Sequence, residues 1–210
     1  MAKVDPNSLF AGLSGRIGDL VFSTRRNGTF VRSAPLRSAV RKNKPSVMQR
    51  EARARFALAN QFVTRAGKII RLGCGNSNGS PHALAIKNLM RDAIEGCAPD
   101  LYINYNKVMV SQGKLSSPAN PVLQILEGRM LEFNWSNRIR KKAAEMVLAL
   151  FSPKSNYWEA EICGLNYRKS MFFSVPVGMG ELLEAYAFMR YSDGSKVSDS
   201  IYLGSMLLGE

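Results

Sequence analysis

The sequence has one histidine, His82, and three cysteines, Cys74, Cys97 and Cys163, far apart and without a C-x-x-C pair. A single histidine cannot form a histidine metal cluster, and it allows a Ser-His-Asp or Cys-His relay only around position 82. Three isolated thiols make neither a disulfide framework nor a zinc site, and they read as buried free thiols. Acidic residues are sparse, 16 against 29 Lys+Arg. Glu159 and Glu161 share one face of a strand, but a paired-carboxylate site needs a partner from elsewhere, so a solvated strand face is expected. The glycine-rich Gly73–Pro81 break lacks the Gly-Lys-Ser/Thr ending of a phosphate loop. No stretch approaches the roughly 20 apolar residues of a membrane-spanning helix. The opening Met1-Ala2-Lys3-Val4-Asp5-Pro6 is not followed by the apolar run of a secretion signal. These absences lead to the expectation of a non-enzymatic protein without cofactor, metal or small-molecule substrate. Its expected place is the cytoplasm, or a virion if it is phage-encoded.

What is present is a core and an uneven charge. Of 210 residues, 46% are hydrophobic and 21% charged, which argues against wholesale disorder. The net charge of +13 is concentrated at the amino end: residues 1–71 hold 15 Lys+Arg and 3 Asp+Glu. Such asymmetry points to a basic region facing an acidic partner, with nucleic acid the usual candidate.

The spacing predicts a β-hairpin over residues 16–33, turning at Asn27-Gly28, because both centres of a type I′ turn need positive φ. That turn would set Arg26 opposite Thr29 and Arg25 opposite Phe30. Leu20, Phe22 and Val31 then share one face, and Val21, Arg25, Phe30 and Arg32 the other. Residues 34–45 carry two prolines and four positive charges and read as an extended arm. Ser46-Val47-Met48-Gln49 is a capping box that opens a helix to about Leu72. Its apolar side should hold Ala52, Phe56, Ala59, Val63, Ala66 and Ile70, with Arg50, Arg53, Arg65, Lys68 and Arg71 outside. Arg55 falls near the apolar edge. A second helix is expected over 82–96, buried through Leu84, Ile86, Leu89, Met90 and Ala93 and stopped at Gly96. A strand is expected from Leu101 to Val110.

Ser111–Pro121 reads as a linker. Beyond it, residues 122–126, 129–135, 144–151, 157–163, 170–175, 183–191 and 197–203 read as seven short strands, with Trp135 inside and a turn at Asp193-Gly194. The expected fold is therefore an α+β part followed by an all-β sandwich of immunoglobulin or fibronectin III kind. The expected domains are 1–113 and 122–210, joined by a linker at 114–121.

Several stretches together resemble one family. They include Ser14-Gly15-Arg16-Ile17-Gly18, Arg26-Asn27-Gly28, Val31-Arg32, Pro45, Gln49 and Arg53–Ala59. The middle adds Lys87-Asn88, Ala93–Gly96, Pro99-Asp100, Ile103-Asn104-Tyr105, Lys107-Val108 and Val110-Ser111, and the end adds Val197–Gly204. The pattern is similar to an uncharacterised family common in Bacteroidota bacteria and their phages, with Ser46 where that family usually has threonine. The resemblance brings no assigned activity. It implies, by analogy, an assembly or virion role.

Two functions follow as expectations. The first is a structural protein of an assembly, homo- or hetero-oligomeric, docking its basic hairpin and arm on an acidic partner and using the sandwich for protein contacts. The second is a protein that binds DNA or RNA with the same surface. The residues expected to make the contacts are Arg25, Arg26, Arg32, Arg37, Arg41, Lys42, Lys44, Arg50, Arg53 and Lys68.

Overall fold

The computed structural model describes residues 2–34, 44–75, 79–126, 130–136, 144–164, 170–174 and 180–208. The chain divides into two compact units, Met1–Pro45 and Ser46–Glu210. The division expected at 114–121 is not where the chain separates.

The first unit is a four-stranded antiparallel sheet built from β1 (Ala2–Lys3), β2 (Gly15–Ile17), β3 (Leu20–Arg25) and β4 (Gly28–Ser33), in the order β1-β4-β3-β2. Two outer strands thus flank the expected hairpin. The hairpin keeps a two-residue loop but turns one residue earlier than predicted: Arg25 faces Gly28, and Phe22 faces Val31. Positive φ falls on Gly28 (119°) and not on Asn27, so Arg26-Asn27 forms the loop. The slip moves both strands together and preserves parity, so the two predicted faces survive. Phe10 stacks on Phe22 with ring centroids 5.8 Å apart. The Gly12 amide donates to Thr29 Oγ1 at 2.8 Å, and Thr24 Oγ1 donates to the Leu13 carbonyl at 2.7 Å. The segment before β2 is thereby tied over the apolar face. The burial achieved is small: Phe22 and Thr29 are the buried residues among those described in this unit.

The second unit opens with the predicted capping box. Gln49 N donates to Ser46 Oγ at 3.2 Å, and Ser46 N donates to Gln49 Oε1 at 3.1 Å. α1 (Val47–Arg65) and α2 (Gly67–Gly73) replace the single helix expected to Leu72. The break at Ala66 follows Thr64, whose hydroxyl donates to the Asn60 carbonyl at 2.7 Å, and precedes Gly67; both residues weaken a helix. The buried stripe also differs from expectation. Ala59, Val63, Ala66 and Ile70 are buried as predicted, joined by Phe62 and Ile69, while Ala52 and Phe56 are exposed. The core begins only in the second half of α1.

α3 (Pro81–Asn88), capped by Ser80, is shorter than the helix expected over 82–96, and it continues as one π turn, Leu89–Ala93. Of its predicted core, Ile86, Leu89 and Ala93 are buried and Leu84 and Met90 half-buried. The strand expected over 101–110 is reduced to β6 (Tyr102–Ile103), paired with β5 (Ile94–Glu95) and followed by a 3₁₀ turn, Tyr105–Lys107. Glu95 is the reason. Its carboxylate accepts from Tyr102 Oη (2.8 Å), Asn104 Nδ2 (3.0 Å) and Lys107 Nζ (2.7 Å), winding this stretch around one anion.

The expected linker is stitched into the unit. Ser111 is buried, its Oγ 2.8 Å from the Gly73 carbonyl and 2.6 Å from that of Ser198, one proton between two acceptors. Gly113 N donates to Asp199 Oδ1 at 2.9 Å, and Leu115 N to the Val197 carbonyl at 2.9 Å.

Seven strands follow: β7 (Val122–Ile125), β8 (Met130–Asn134), β9 (Ala144–Ser152), β10 (Tyr157–Gly164), β11 (Ser170–Ser174), β12 (Leu182–Tyr191) and β13 (Ile201–Leu207). Six lie where the sequence places them. The last starts four residues later than expected, since Val197 and Ser198 form isolated bridges to Arg190 and Leu115 instead. The strands form two sheets, β11-β8-β7 and β10-β9-β12-β13. Leu131, Phe133 and Trp135 from the first meet Met146, Leu148, Leu183 and Ala185 from the second in one core.

The opposite face of the four-stranded sheet is covered too. Val147, Ala149, Phe151, Tyr186 and Phe188 share a second core with Phe62, Val63, Ile69, Ile70, Ile86 and Leu89. The two sheets are therefore not a free-standing sandwich behind a linker but two layers of a unit whose third layer is helical, with the four-stranded sheet in the middle. β9 and β12 lie between two cores, which is why Met146–Phe151 and Leu183–Met189 are buried without alternation.

Candidate cationic sheet face

Pairing across the first unit's sheet sorts its side chains into two faces, because directly opposed residues project to the same side. Arg32, Val21 and Arg16 form one row, since Val21 pairs with both others. Lys3, Phe30 and Ser23 form the next, and Gly28 with Arg25 the third. Lys3, Arg16, Arg25 and Arg32 are exposed, and Val21 and Phe30 are half-buried among them. No acidic residue belongs to these rows. Lys3 bends toward the loop end, its Cε 3.0 Å from where a Cβ on Gly28 would stand, beside Arg25. Arg16 is held at the other end: its Nε donates to the Gly18 carbonyl at 2.8 Å, and it pairs at 3.6 Å with the fully exposed Asp19. Arg25 thus stands about 14 Å along the strands from the Arg16–Arg32 row at ~3.4 Å per residue, and Lys3 reaches from the middle row toward Arg25.

The opposite face carries Ala2, Ile17, Leu20, Phe22 and Val31. Ile17 and Leu20 remain 57% and 45% exposed there, so the sheet presents one cationic face and one incompletely covered apolar face.

Of the residues expected to bind a polyanion, Arg25 and Arg32 meet on the cationic face, and Arg26 lies exposed in the loop beside it. Arg37, Arg41 and Lys42, with most of the expected arm, lie outside the described residues; Lys44 is exposed. Arg50, Arg53 and Lys68 are exposed on α1 and α2 in the second unit. They do not make one continuous stripe: Arg53 and Arg65 are separated by about 18 Å of helix, at ~1.5 Å per residue, whose outward residues include Asn60, Gln61 and Thr64. Arg55 is turned inward, with Nη2 donating to the Gly96 carbonyl at 3.0 Å and Nε 3.6 Å from Glu51. Lys3 and Arg16 are the members that sequence reasoning missed. A two-residue and a three-residue strand leave no periodicity to read, although the Gly18-Asp19 turn before Leu20 marks where β2 doubles back.

Groups with catalytic potential are dispersed. His82 is exposed in the first turn of α3. Among the described residues, no three His, Cys, Asp or Glu side chains are placed to hold a metal ion. Cys74 and Cys163 are buried, and burial pushes the Cys74 thiol up; Cys97 is exposed, contrary to expectation. Glu159 accepts a hydrogen bond from the Tyr157 hydroxyl. The buried Glu184 accepts from Tyr202 Oη at 2.5 Å and from Ser205 Oγ at 2.9 Å. Burial, then the Glu184 charge, pushes the Tyr186 phenol up, and its hydroxyl donates to the Tyr105 carbonyl at 2.9 Å. A shallow groove lined by Phe62, Tyr105 and Phe151, with Gln61 and Asn156 as polar members, contains no carboxylate, histidine or lysine.

No curated protein matches the chain. Among solved structures, the fn3 domain of human collagen alpha-1(XX) chain is 13% identical with a TM-score of 0.35, over 47% of this chain and 89% of that one. A structure described as a myokine is 7% identical with a TM-score of 0.39, over 46% of this chain and 100% of that one. A family match extends over residues 12–204, from the turn before β2 into β13, and the chain belongs to this family of unknown function, DUF6266.

Proposed function

We propose that the protein is a non-enzymatic assembly protein whose N-terminal sheet docks on a polyanionic component while the larger unit supplies protein contacts. The observation that carries this reading is the sheet itself. It buries Phe22 and Thr29 yet offers solvent a cationic face and exposed Ile17 and Leu20. A sheet with so little interior gains most of its stability when something covers it. Its charge supports an anionic partner: residues 1–45 hold nine Lys+Arg against two Asp. The sequence resemblance to a family found in Bacteroidota and their phages suggests a phage particle or a cytoplasmic assembly as the setting.

The test is native purification followed by charge reversal. The wild-type chain should co-migrate with an acidic component at low salt and be released by about 0.5 M salt, since screening shortens the reach of surface charges to a few ångströms. The double variant Arg25→Glu, Arg32→Glu should stay free at every salt. A wild-type chain that migrates alone from its own lysate or particle at low salt refutes the proposal.

A further inference from the structure

We infer that the polyanion taken by the cationic face is a single-stranded nucleic acid, its backbone lying on Lys3, Arg25, Arg16 and Arg32 with one base over Phe30. This rests on the docking reading above and names the partner's class.

The argument is one of charge complementarity and shape. The face is a sheet surface with Arg16 and Arg32 at one end, Arg25 at the other, and Phe30 in the row between, from which Lys3 reaches toward Arg25. A protein partner would need a projecting apolar anchor here, because interfaces between proteins draw their strength from buried anchors rather than rim charges. Val21 and Phe30 are each half-buried among the cations and offer no large apolar anchor. A duplex is equally ill-matched. Grooves are read by an inserted helix or ribbon, and stacked duplex bases would leave Phe30 without a partner. An unpaired strand offers a repeating phosphate charge and an exposed π face on each base, the two features this surface can use. Three of the four cations are arginines, whose planar forks grip phosphate oxygens in pairs. Asp19 competes for only one of them, at 3.6 Å.

The experiment uses the full chain and a fluorescently labelled 12-mer of oligothymidylate, followed by anisotropy from 50 to 300 mM salt. Four phosphate contacts predict a slope of log affinity on log salt of about −3 for a single strand. An abasic 12-mer should bind about tenfold more weakly, since base stacking on an aromatic carries that much. Phe30→Leu keeps the row filled and removes the ring. It should erase the preference for thymidylate over the abasic strand while leaving the salt slope unchanged. Polyglutamate of matched charge and a 12-bp duplex serve as competitors and should displace the strand poorly. If polyglutamate binds as tightly as oligothymidylate, this inference fails while the docking reading stands. If wild type does not distinguish thymidylate from the abasic strand, or the duplex wins, the inference also fails. If no polyanion binds at 50 mM salt, both fall.

Discussion

Removing the Phe62 ring should unsettle strands that Phe62 never touches. Phe62 is 6% exposed in α1 and packs edge-on against Phe151 at 5.2 Å and Trp158 at 5.5 Å, both on the four-stranded sheet. Truncating a buried phenylalanine to alanine costs about 3–5 kcal/mol through lost transfer energy and the remaining cavity. For a unit of this size, with a urea m-value of about 2 kcal/mol/M, the unfolding midpoint should fall by roughly 1.5–2.5 M. The two tryptophans make the test spatially specific. Trp135 lies between the two sheets and Trp158 against the helical layer. In a Trp158→Phe background fluorescence reports the inter-sheet core, and in a Trp135→Phe background it reports the helix–sheet core. If the three layers unfold as one, Phe62→Ala lowers both midpoints equally. If Trp158 shifts while Trp135 keeps its midpoint, the strands fold independently of the helices, and the three-layer account is wrong.

Two further outcomes follow. Gly113→Ala should be severely destabilising, since its Cβ would stand 2.0 Å from the Val197 carbonyl oxygen; melting temperature should drop sharply, whereas a true linker would tolerate the change. Glu95 should titrate at about 2, held down by hydrogen bonds from Lys107, Asn104 and Tyr102. Its folded pKa lies below its unfolded value of about 4.3. Its stabilising contribution is therefore complete above that value, falls as pH drops, and is gone below about 2. Amide protection factors around residues 94–107, corrected for the intrinsic pH dependence of exchange, should fall through that window in wild type but not in Glu95→Gln.

The strands were legible because alternation is local. Leu131, Phe133 and Trp135 interleave with Glu132 and Asn134, and the structure buries the first three. The helical cover over β9 and β12 was written in the sequence as well, as the uninterrupted apolar runs Met146–Phe151 and Ala185–Met189, but such runs also suit the middle of an ordinary sandwich. Ser111–Pro121 misled for a different reason. Serine, glycine and proline give a linker's composition, and nothing local reveals that Ser111 will meet Gly73 and Ser198. On α1, Phe56 and Phe62 have equal apolar character; only the position of the sheet beneath decides that one is exposed and the other buried. The cationic face was half-read, because Arg25 and Arg32 lie in strands of six residues while Lys3 and Arg16 lie in strands of two and three.

The double cover of β9 and β12 also sets a timetable for synthesis. Helices α1 to α3 leave the ribosome first, yet the surface they rest on is completed only when β12 ends at Tyr191. About 100 residues separate Asn88 from that point, which at 5–20 residues per second is roughly 5–20 s of translation. Throughout that interval Phe62, Ile69, Ile70 and Leu89 have no sheet to cover, so the nascent helices are a natural substrate for chaperones that hold apolar segments.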